Sequence, residues 1–108
     1  MKINVLGTQY SLVESSEQET PRLAGIDGFC DTSTKECVVD RLEGDGQNAK
    51  ANLPEYKKCV ARHELIHAFL FESGLDTCRS WARNEEMVDW LAIQFPKLLE
   101  AFKAADAL

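Results

Sequence analysis

Arg62-His63-Glu64-Leu65-Ile66-His67-Ala68-Phe69-Leu70 contains both histidines of this 108-residue chain, four positions apart, with a glutamate directly after the first. On a helix, side chains at i and i+4 lie one above the other on the same face. The spacing therefore brings two imidazoles to one point. An H-E-x-x-H pentapeptide on a helix can supply two ligands to a tetrahedral zinc and a carboxylate within reach of a water on that metal. Zinc brings the pKa of such a water towards neutrality, so Glu64 can take its proton at pH 7 and pass it to the leaving nitrogen of a cleaved peptide bond.

The residues around the motif predict the helix it needs. Pro54 suits a first helical turn, where its missing N–H costs nothing, and Glu55 there complements the helix dipole. The pattern runs to Phe71, and Gly74 is a natural stop. Leu65, Ile66, Phe69, Leu70 and Phe71 make the second half apolar nearly all round, which predicts burial. Cys59 lies four before His63 on the same face and reads as a packed thiol rather than a ligand.

A catalytic zinc takes a third protein ligand and keeps a fourth position open, and no histidine remains to supply the third. Asn84-Glu85-Glu86-Met87-Val88-Asp89 offers carboxylates on a second helix, expected from about Arg83. Glu85 and Asp89 share a face, so one can ligate while the other orients an imidazole by accepting its second N–H. Glu86 is the alternative third ligand. Met87, Val88, Leu91 and Phe95 form the expected core stripe. Pro96 is expected to kink or break the helix before Leu98, Leu99 and Phe102 resume the pattern. Trp81 and Trp90 read as core anchors. Tyr56, Tyr10, Arg79 and Arg83 are candidates for stabilising a developing oxyanion.

The first half reads as strands. Lys2–Leu6 and Gln9–Val13 flank a turn at Gly7-Thr8, and Glu14 to Leu23 reads as a loop. Gly28–Asp31 and Glu36–Asp40 bracket Thr32-Ser33-Thr34-Lys35 as a hairpin, and Gly44 to Asn48 reads as a loop. The expected architecture is α+β: one domain over 1–108, with a strand-rich half (1–50) and a helical half (54–108). A small antiparallel or mixed sheet from residues 2–40 packs on the motif helix. Strand 36–40 is the expected sheet edge for pairing with an extended substrate.

Composition narrows the partners. A net charge of −6, with 18 acidic against 12 basic residues and no basic cluster, disfavours nucleic acid and anionic membrane surfaces. Residues 1–7 lack the apolar core of a signal peptide, and no apolar run approaches a bilayer span, which points to the cytoplasm. In that compartment Cys30, Cys37, Cys59 and Cys78 read as reduced, mostly buried thiols, with Cys30 and Cys37 able to face each other across the hairpin.

H-E-x-x-H followed by N-E-x-x-x-D on a second helix resembles the gluzincins, the thermolysin-like branch of zinc peptidases. His63, Glu64, His67, Glu85 and Asp89 match that pattern one by one. The stretches 62–70 and 84–90 are similar to short prophage proteins of the ImmA/IrrE type, a group common in phages and mobile elements whose members cleave transcriptional repressors. The resemblance covers residues 54 to about 96. Larger relatives differ in having Asn near the position of Asp89 and Phe-Ala in place of Leu91-Ala92. The resemblance implies a minimal zincin-like fold and a zinc-dependent peptidase acting on a protein or peptide, with His63, His67 and Glu85 as ligands, Glu64 as catalytic base and Asp89 supporting a histidine. Two other readings stand beside it: a non-catalytic, zinc-stabilised interaction module, and a metal-dependent hydrolase of a non-peptide bond.

Overall fold

Four strands and three helices follow one another along the chain in the computed structural model, which describes residues 1–43 and 50–108. The strands are β1 (Lys2–Val5), β2 (Thr8–Ser15), β3 (Gly28–Asp31) and β4 (Glu36–Asp40). The helices are α1 (Leu53–Glu72), α2 (Leu75–Cys78) and α3 (Glu85–Ala104). The α+β class and the order of strands before helices agree with the expectation. The loop expected at Gly44 to Asn48 lies outside the described residues.

The sheet is mixed, in the order β1-β2-β4-β3. β1 pairs antiparallel with β2, β2 parallel with β4, and β3 antiparallel with β4. Strand 36–40 is thus an inner strand and not the expected edge; the edge on that side is β3. The reason is composition: Cys37, Val38 and Val39 are all buried, and a strand this apolar is best covered on both sides by neighbours. The first hairpin turns at Leu6-Gly7 rather than Gly7-Thr8. Both residues take positive φ, 50° and 92°, as a two-residue turn that matches strand twist requires. β2 also runs further than expected, to Ser15, and Pro21–Leu23 form a 3-10 turn that buries Leu23.

The sheet presents Tyr10 and Cys37 to α1, where they join Val5 and Ala68 in the core. On the opposite face Arg22 stacks over the Phe29 ring at 4.2 Å and pairs with Asp31 at 2.8 Å. Lys35, at the β3–β4 turn, reaches Glu72 near the end of α1 at 2.9 Å.

Asn52 caps α1 by accepting from the Glu55 N–H, and Gly74, at φ 84°, follows its end. The expected all-round burial of its second half is not found. Only Glu64 and Ala68 are fully buried on this helix, and Phe69 is 42% exposed. One sheet face and one partner helix cannot cover every side of a cylinder. The same shortage of layers among the described residues leaves exposed Trp81 and Trp90, expected as core anchors, and Phe95, expected in the core stripe, while the small Val88 and Ala92 make the buried stripe of α3.

α3 begins at Glu85, capped by the Asn84 side chain on the Met87 N–H at 2.9 Å. It runs through Pro96 unbroken to Ala104, contrary to the expected interruption. Proline has no N–H to give the carbonyl four residues earlier, which here belongs to Ala92. Arg62 Nε on α1 donates to that oxygen at 2.6 Å instead, so the acceptor stays satisfied.

Candidate metal centre

Residues i, i+4 and i+7 of α3, namely Glu85, Asp89 and Ala92, turn towards α1, and the Arg62–Ala92 bond joins the two helices there. His63 and His67 project from the facing side of α1. His63 Nε2 lies 3.1 Å from His67 Nε2 and 2.9 Å from Glu85 Oε2, and His67 Nε2 lies 3.1 Å from Glu85 Oε1. Three groups that could hold a metal ion therefore converge, their donor atoms within 4.8 Å of one another. Glu86, the alternative, is not in this cluster. On its other side the His63 ring places Nδ1 2.7 Å from Asp89 Oδ1. A proton held on Nδ1 for Asp89 leaves the Nε2 lone pair free for a metal.

Glu64, one residue on from the first histidine, turns towards the sheet and is 6% exposed. Burial is the main reason its carboxyl is pushed up to about 7, and Glu85 and Asp89 add to the shift while His63 opposes it. A carboxyl near neutrality can both take and return a proton at pH 7.

Gly28 makes this burial possible. A Cβ built there would lie 2.8 Å from the Val38 carbonyl, 2.9 Å from Val60 Cγ1 and 3.3 Å from Glu64 Oε2. The edge strand can press onto α1 at Glu64 only because that position has no side chain. Sequence reasoning did not single out Gly28, although a lone glycine opening a strand is a recognised sign of close backbone approach.

Two cavities share His63 and Glu64. One, of about 400 Å³, also has Asp27, Tyr56, Val60, Asp89 and Ile93 in its wall. The other, of about 470 Å³, includes Cys30, Thr32, His67 and Glu85. Both touch Gly28, so together they run along the edge of β3.

Among the four oxyanion candidates, only Tyr56 lines a cavity beside Glu64. Its hydroxyl donates to Asp27, a partner not foreseen, and that bond with burial raises the phenol to about 12. Tyr10 is buried in the core, while Arg79 and Arg83 donate to the carbonyls of Cys78 and Asp76. Cys59 lines the Tyr56 cavity and is not in the metal cluster.

Of the four cysteines only Cys37 is fully buried; Cys30 and Cys59 are half-buried and Cys78 is exposed. Most were expected to be buried; Cys30 and Cys59 instead border the cavities beside His63 and Glu64, and Cys78 sits on the short surface helix α2. Cys30 and Cys37 do face each other. Interaction with the facing thiol lowers the Cys30 thiol and, with burial, raises that of Cys37.

No helix among the described residues is long and apolar enough to cross a membrane. No family model, curated protein or solved structure matches the chain.

Proposed function

We propose that this chain is a zinc-dependent peptidase with a minimal gluzincin-like site, similar to the ImmA/IrrE type. The observation that carries the reading is the convergence of His63, His67 and Glu85 with Asp89 behind His63. Two donors each about 2.05 Å from a tetrahedral zinc lie roughly 3.3 Å apart. The spacings of 2.9 to 3.1 Å between the three groups fit such a set with little adjustment. Two imidazoles and one carboxylate are also a ligand set found in catalytic zinc sites, which keep a fourth position for water or substrate.

Bound zinc would act as a Lewis acid, polarising the scissile carbonyl and making water easier to deprotonate at neutral pH. Glu64 is the general base: it takes the proton from the attacking water and gives it to the departing amine. Asp89 holds the His63 ring in the orientation that ligation needs. A protein or peptide substrate lies extended along β3. Asp40 N donates to Asp27 O, and the alternation of an antiparallel ladder then turns the N–H and C=O groups of Gly28 and Cys30 away from β4, towards the open edge. An added strand would pair with these groups, in the manner of strand-addition complexes. The likeness of 62–70 and 84–90 to prophage proteins extends the reading to a cytoplasmic protein of a phage or mobile element, with a regulatory protein as substrate.

Metal analysis and digestion of a peptide library test the reading together. The purified chain should hold about one zinc. Glu64→Gln should keep that zinc and lose at least about a hundred-fold in cleavage rate. A chain that takes up no zinc when it is supplied would refute the site. Zinc uptake with no cleavage of any peptide would favour the interaction module.

A further inference from the structure

Cys30 and Cys37 are directly opposed residues of the β3–β4 hairpin. The bond from Asp40 N to Asp27 O, 2.8 Å long, marks Asp27 and Asp40 as a hydrogen-bonded pair. Alternation along the ladder makes Cys30 and Cys37 a non-hydrogen-bonded pair, in which Cα atoms approach to about 4.5 Å. That separation is at the short end of what a disulfide spans. The two thiols differ in access. Cys30 borders the cavity that holds His63, Glu64, His67 and Glu85. Cys37 is fully buried, and its thiol donates to the Glu64 carbonyl at 3.6 Å.

We propose that Cys30 and Cys37 form a reversible disulfide by exchange with small disulfides such as oxidised glutathione, clamping the edge strand beside the metal cluster. Cys30, as thiolate, attacks one sulfur of the oxidant. The oxidant's S–S bond breaks, and one glutathione leaves and takes up a proton. Cys37 then gives up its proton and attacks the Cys30 sulfur, expelling the second glutathione. Two protein thiols are oxidised and one small disulfide is reduced to two thiols. The loop closed by the bond is short, so the bond adds only modest stability and remains open to reduction. The switch rests on strand pairing and access, independently of what the neighbouring cluster binds or cleaves.

The full chain is equilibrated in oxidised and reduced glutathione, quenched by alkylation and digested with trypsin. Cleavage after Arg22, Lys35 and Arg41 puts Cys30 in peptide 23–35 and Cys37 in peptide 36–41. The expected product is these two peptides joined and lighter by two hydrogens. The Tm should rise by several degrees, up to about 10 °C for so short a loop, and return with dithiothreitol. Cys30→Ser should abolish both signals and Cys78→Ser should leave them intact. Three results would overturn the proposal: glutathione retained on Cys30 without a cross-link, a link through Cys59 or Cys78, or a chain that stays reduced in oxidised glutathione alone. The wild-type readout does not depend on any variant folding.

Discussion

Replacing Glu64 with Gln should change how the metal-free protein responds to pH, and the structure sets the size of the effect. The Glu64 carboxyl sits at about 7 in the fold against an ordinary value of 4.5. A carboxyl raised in the folded state favours folding while it is protonated, and that contribution is lost as pH rises through about 7. At 1.36 kcal/mol per pH unit, the full penalty of the ionised form is about 3 kcal/mol. Linkage spreads it over the window between the two values, so about 2.5 kcal/mol of it develops between pH 5 and pH 8 and little beyond. Gln keeps the shape and cannot ionise. Urea unfolding in the presence of a chelator, at intervals from pH 5 to pH 8, should show the variant gaining on the wild type by about 2.5 kcal/mol over that range. Taking the difference between the two proteins cancels the titrating groups that do not interact with Glu64. Parallel stability curves would refute the argument, because they would mean that Glu64 ionises in the fold as it does in the unfolded chain.

Two further substitutions probe the same region. Gly28→Ala should cost about 1–3 kcal/mol in chemical denaturation, since the new Cβ meets the Val38 carbonyl at 2.8 Å and backbone cannot yield as a side-chain end can; a change under about 0.5 kcal/mol would show that the strand does not press on α1. Glu85→Ala should sharply weaken zinc binding in a chelator competition while Glu86→Ala leaves it unchanged, because only Glu85 belongs to the cluster with His63 and His67; equal losses, or the reverse order, would assign the third ligand wrongly.

What could be read in the chain beforehand was what depends on neighbours in sequence. The β3–β4 hairpin and α1 follow from local turn and capping residues, and the meeting of His63 with His67 follows from helical spacing. Asp89 came to hand in the same way, once Glu85 faced α1. Features set by distant partners were not legible. Strand order is decided by which apolar strand gains most from two neighbours, so β4 is an inner strand and not the expected edge. The exposure of Trp81 and Trp90 follows from the absence, among the described residues, of another layer over α3, which the spacing of apolar residues cannot reveal. Tyr56 was visible as a candidate on the face of His63, but its partner Asp27 lies 29 residues away. Burial of Glu64 depends on Gly28 in the same long-range way.

The guanidinium of Arg62 has a consequence for the order in which the molecule assembles. α3 has a missing rung at Pro96, and the replacement donor is on α1. A helix on its own would leave the Ala92 carbonyl to water and fray or bend at that point. Docking on α1 therefore supplies the partner that favours the unbroken form of α3. Glu85 and Asp89 lie on the same helix as this rung, and Arg62 is the residue next to His63. The bond that completes the helix is thus next to the residues that bring the two sets of side chains together. The segments that supply the metal-ligand candidates should then share one opening free energy, with no cheap partial unfolding that separates them.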